Sequence, residues 1–205
     1  MLSPTEKFLF IFLVVVCVAA TANTFSMSAK IVAKGEGSLN FKAIPQRIIT
    51  GLPALFSQGG IIRHRTTTSI IHYGVAYGFL FYFIVNGVDV AEGLITGFHV
   101  PDNFIGHTYE LLADTLGFVV LVGVLYFLLR RFAFGDNTLE ARDNVLLDEK
   151  ARNNGIRQDS LVVGVYILLH IRIRKMAVAF RGAESGSDDP WQPFASSLAT
   201  ILGLY

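Results

Sequence analysis

The sequence holds one cysteine, Cys17, and it falls inside the first apolar run. No disulfide can close within the chain. An iron–sulfur cluster takes about four thiolates, so this chain alone cannot hold one. Thiolate-based structural zinc is not expected either. Charge is also scarce, at 16% of residues with a net +1. That balance says little about a partner, nucleic acid is not an expected one, and the information lies in where the charges fall. If the chain does redox chemistry, histidine must carry the cofactor or a partner must bring it.

What is abundant is apolar sequence. Of 205 residues, 52% are hydrophobic and 12% aromatic, and the mean hydropathy is +0.51. The apolar residues come in blocks. A bilayer core of ~30 Å takes about 20 residues of helix to cross. Backbone groups in lipid must bond within their own segment, so the blocks are predicted to be helices. The expectation is an all-α, polytopic transmembrane helix bundle, with four spans and a partial fifth. The spans fall at about residues 7–26, 66–88, 107–129 and 159–180, with the partial one at 194–205.

The first block, "FLFIFLVVVCVAATANTF", has small residues near its end that imitate a signal-peptide cleavage site. Its length and the acidic Glu6 favour an uncleaved span. Residues 27–65 carry Lys30, Lys34, Lys42, Arg47, Arg63 and Arg65 against the single acid Glu36. By the positive-inside bias this loop is cytoplasmic and the N-terminus outside. Within it, "IPQRIITGLPALFSQ" is amphipathic and suits the membrane surface. The loop at 89–106 has acids but no lysine or arginine, which suits the outer side, and residues 132–158 form a second cytoplasmic loop. The fourth span opens near Asp159 and Ser160, a capping pair. Its cations Arg172, Arg174 and Lys175 are expected to snorkel or to sit at the rim of a tilted helix. The closing run "FASSLATILGLY" reaches only ~18 Å. It reads as a half-inserted helix or, preferably, as the front of something longer.

Five histidines are present: His64, His72, His99, His107 and His170. A b-type haem in a bundle takes two imidazoles at one depth on facing helices. By residue count, His72 lies about 9 Å inside the second span and His170 about 16 Å inside the fourth. They are the two that can pair as haem ligands. The other reading of each is an interfacial or packing histidine. His64 and His99 look like loop residues. His107, Glu110 and Asp114 stand at i, i+3 and i+7 on one face of the third span. Ionisable groups within a span often mark a quinone or proton path, and the alternative is a cap or an interhelix hydrogen bond. Gly74 and Gly78 form a small-xxx-small pair for close helix packing. The aromatics Tyr73, Tyr77, Phe79, Phe81, Tyr82 and Phe83 read as packing or lipid-facing residues. Trp191 is placed like an interface anchor.

The order "SLNFKAIPQRIITGLPALFSQ", "IIHYGVAYGFLFYFIVNG", "ELLADTLGFVVLVGVLYFLLRRF", "GIRQDSLVVGVYILLH", "DPWQPFAS" resembles the N-terminal membrane domain of heterodisulfide-reductase-related iron–sulfur oxidoreductases. That domain is similar to the gamma (cytochrome b) subunit of respiratory nitrate reductase. The resemblance implies a five-helix electron carrier in a bacterial or archaeal cytoplasmic membrane. It would act in a respiratory or photosynthetic-type oxidoreductase, between the quinone pool and an iron–sulfur partner on the cytoplasmic side, through haem b. The family's second-span histidine matches His72, and its third-span aspartate matches Asp114. The cysteine-rich domain of the family does not follow here, and His170 falls on no family ligand position. The rival expectation is a haem-free anchor or scaffold subunit. A transporter is disfavoured, since neither an internal repeat nor paired broken helices are seen.

Overall fold

The structure, a computed structural model, describes residues 2–35, 40–57, 66–135, 145–149, 151–185 and 189–204. Among them there is no strand. The described residues form six α-helices in order: α1 Pro4–Val32, α2 Ile44–Ser57, α3 Thr66–Leu94, α4 Phe104–Leu128, α5 Ile156–Ser185 and α6 Pro193–Ile201. The chain divides into two compact units, Met1–His64 with Gly87–His99, and Arg65–Asn86 with Val100–Tyr205. Three helices are long and apolar enough to cross a membrane: α1, α3, and α4 with its extension to Ala133. Helix α5 is as long at 30 residues, but its three mid-helix cations set it apart from those three.

In the first unit, α1 starts on a capping box. Ser3 Oγ accepts from the Glu6 amide, Glu6 Oε2 accepts from the Ser3 amide at 2.8 Å, and Pro4 takes the first turn. The helix then runs past the expected span end near residue 26. Thr24, Ser26 and Ser28 lie within it, their hydroxyls satisfied by carbonyls three or four residues back. No residue of α1 is buried. Lys7 Nζ donates to the Leu94 carbonyl at 3.0 Å, where the C-terminal end of α3 carries partial negative charge. The start of α1 and the end of α3 therefore lie together. Helix α2 places Ile44, Ile48, Leu52 and Leu55 along one side, all exposed.

In the second unit, the α3 segment up to Asn86 packs with α4 and α5, and α6 packs on α4 and α5. Tyr82, Val85, Ala113, Val120, Val124 and Ile171 form its core. Glycines set the spacing. A Cβ on Gly78 would stand 2.6 Å from the Val120 side chain, and one on Gly123 would stand 2.3 Å from that of Val75. Gly78 thus does what the small-residue spacing predicted, with a reciprocal glycine on α4. Helix α4 is capped by Asn103, whose Oδ1 accepts from the amides of Ile105 and Gly106 at 3.0 Å each. It starts three residues before His107. At its far end a π turn, Leu129–Ala133, carries two arginines that tie three helices together. Arg130 donates to Thr68 Oγ1 on α3, and Arg131 donates to Ser160 Oγ on α5 at 2.6 Å. The predicted cap at Asp159 and Ser160 is therefore corrected. The helix begins at Ile156, and Ser160 donates its hydroxyl back to the Ile156 carbonyl at 2.9 Å from inside the helix. Helix α6 ends at a turn where Gly203 takes φ +65° and the Leu204 amide returns to the Ala199 carbonyl.

Candidate functional site

The centre of the second unit holds a buried charge pair. Asp114 on α4 is 4% exposed and Lys175 on α5 is 8% exposed. Lys175 Nζ donates to Asp114 Oδ1 and also to the Asp114 carbonyl. The second carboxylate oxygen accepts from the Phe194 amide at 2.6 Å, in the first turn of α6. One aspartate thus joins three helices. Gly117 leaves the room, because a Cβ there would meet Lys175 Cε at 3.3 Å. The Phe194 ring stacks on Phe118 at 4.2 Å and lies 5.7 Å from Lys175 Nζ. A buried charge is costly unless it is paired and hydrogen-bonded, and here both conditions are met. Lys175 does not snorkel but is buried against Asp114, which corrects that part of the expectation for the residue. The signal available in the sequence was acids inside one apolar run and cations inside another, since such groups pair with each other.

His107 and Glu110 lie together at the entrance of α4. His107 Nε2 is 3.2 Å from Asp102 Oδ1, and its Nδ1 is 3.6 Å from Glu110 Oε2. Trp191 stacks on the imidazole with centroids 4.9 Å apart and planes within 4°. Asp189 holds the Trp191 amide at 2.9 Å and the Gln192 side chain at 2.9 Å. The arrangement sets one imidazole between two carboxylates and against an indole face. The aligned trio of the third span therefore divides. His107 and Glu110 form one cluster, while Asp114 is engaged by Lys175 and Phe194. Sequence reasoning missed Asp102, Lys175 and the stacking role of Trp191.

The two haem-ligand candidates are far apart. His170 Nε2 faces Asn86 Oδ1 at 3.1 Å. Asn86 lies fourteen residues beyond His72 on α3, which is about 21 Å along the helix. His72 itself is exposed, with Phe127 edge-on to its ring at a centroid distance of 6.3 Å. A haem iron needs both imidazoles at one level, so a haem held between His72 and His170 does not fit this structure. His99 is an exposed loop residue as predicted, with Nδ1 3.1 Å from the Gly97 carbonyl. His64 lies outside the described residues.

Comparison with known proteins gives a distant relative. The chain is 35% identical over 96 residues to an EtfAB:quinone oxidoreductase of Syntrophomonas wolfei, covering 46% of this chain. The match takes in only 13% of that protein's length. No family model matches the chain, and no solved structure matches it.

Proposed function

We propose that the chain is a membrane-embedded subunit or domain of an oxidoreductase, working at the quinone side of electron transfer with an iron–sulfur partner. The observation that carries this reading is the similarity to an EtfAB:quinone oxidoreductase. It is joined by helices long and apolar enough to reach the quinone pool within the bilayer. In this reading α5 is a fourth span, its Lys175 neutralised by Asp114, and α6 is a partial fifth. The N-terminus faces outward and the basic loops face a cytoplasmic partner, following the positive-inside bias. His107 and Glu110 serve a proton path at the outer end. Asp114 fixes the helices around that path.

A haem held between His72 and His170 has no part in this reading, because the two stand at different levels. A haem on His72 takes a second ligand other than His170. The rival reading, an anchor without redox cofactor, is favoured by that same separation. The test is to purify the chain in its native lipid, extract quinone and quantify it against protein. A reduced-minus-oxidised visible spectrum is recorded on the same sample. Quinone near one per chain supports the proposal. A b-haem band lost in His72→Ala makes His72 one of that haem's ligands. Absence of quinone from folded, intact protein leaves the anchor reading.

A further inference from the structure

We propose that the seam between α3 and α5 at His170 is a binding site for a hydroquinone headgroup. The inference rests on the quinone-side reading above and names where the ring is held. His170 lies fourteen residues into the thirty of α5, near its midpoint, yet its side chain is exposed. An imidazole facing hydrocarbon is costly, and polar groups at such depth mark ligand or ion sites. The surrounding groups suit a flat ring. Tyr166 lies nearly parallel to the imidazole, at 6.1 Å and 11°. Tyr82 meets it edge-on at 5.7 Å. Arg174, one turn along α5, is held 5.9 Å over the Tyr82 ring and keeps its charge at any working pH.

The hydrogen bonds fix which partner the imidazole accepts. Asn86 Nδ2 donates to the Tyr82 carbonyl at 2.9 Å. Its Oδ1 is therefore the atom turned toward His170 Nε2. An amide oxygen only accepts, so in neutral His170 the proton sits on Nε2 and Nδ1 keeps a lone pair. Such a nitrogen accepts from a hydroxyl and offers nothing to a carbonyl. A hydroquinone, with O–H groups, satisfies it. The oxidised quinone, with acceptors only, does not. A ligand that partitions into the bilayer can reach this seam sideways without an aqueous channel.

The experiment uses the full chain in lipid nanodiscs and a short-chain benzoquinone bearing an alkyl diazirine, supplied reduced or oxidised. Photolabelled peptides are mapped. The reduced probe is expected to label residues around Asn86 or His170 several-fold more than the oxidised one. His170→Phe keeps the ring and removes Nδ1, and Asn86→Leu removes the tautomer lock. The phenylalanine variant is expected to lower that labelling about tenfold, the worth of one hydrogen bond, and the leucine variant to lower it by less, since Nδ1 still accepts in one tautomer. Helical circular dichroism confirms folding, and His170→Gln replaces the phenylalanine variant if that one misfolds. Labelling confined to residues 102–114 overturns this site while leaving the quinone-side reading intact. Equal labelling by both redox forms, or labelling unchanged in both variants, also overturns it. No labelling anywhere removes both proposals. Protection of His170 only when a second protein is bound assigns the seam to that partner instead.

Discussion

Helices α1 and α4 are both apolar and both long enough to cross a bilayer, yet they behave differently. No residue of α1 is buried, while α4 buries Gly106, Ala113, Asp114, Gly117, Val120, Gly123 and Val124. The difference does not lie in apolarity. Helix α1 presents "LVVVCV" with bulky chains all round, and lipid is as good a solvent for these as another helix. Helix α4 carries glycines that let backbones approach and one carboxylate that needs a partner. Apolar content decides whether a helix can enter a membrane, and small residues and charges decide what it packs against there.

The sharpest way to break that contrast is to unpair the charges. Lys175→Met leaves Asp114 buried without its counter-ion and is expected to cost about 3–5 kcal/mol in reversible unfolding in mixed micelles. Asp114→Leu combined with Lys175→Met should recover most of the loss. A single variant no less stable than Val14→Ala in α1 would show that the pair carries no weight.

Next in size is the glycine contact. Gly123→Leu drives a side chain into Val75 and should destabilise by about 1–3 kcal/mol. Ala19→Leu, on the exposed α1, is expected to stay within about 0.5 kcal/mol. Equal effects of the two substitutions would erase the difference between the helices.

A smaller effect is expected where α4 meets α5. Arg131→Met and Ser160→Ala should each cost about 1.5 kcal/mol, and the double variant no more than either, since they share one charge-assisted bond. Additive losses would mean that the two groups act separately. The smallest effect belongs to α1. Ser3→Ala removes the capping box, and hydrogen exchange should quicken in the first turn around Glu6 with no change at residues 114–194.

Much of the architecture was legible before any coordinates. The apolar runs located α1, α3 and α4, and the spacing of Gly74 and Gly78 marked a packing face. Helix ends were less legible. Thr24, Ser26 and Ser28 lie inside α1 with their hydroxyls bonded back to the backbone, and Ser160 lies inside α5 in the same way. Polar residues at a run's edge can cap a helix or continue it, and only the path of the chain chooses.

The site divided in the same way. The sequence by itself determined that Asp114, His107 and Glu110 would be informative, because ionisable groups are rare and costly in apolar helices. It also determined that the one cysteine could hold no cluster. The tertiary structure alone decided the partners: Lys175 for Asp114, Trp191 for His107, and Asn86 rather than a second imidazole for His170. The physical reason is that a helix gives each residue a depth and a face, whereas pairing also requires a second helix at matching depth and rotation. That match depends on how α3, α4, α5 and α6 slide and turn against one another, and their glycine contacts and buried hydrogen bonds fix it.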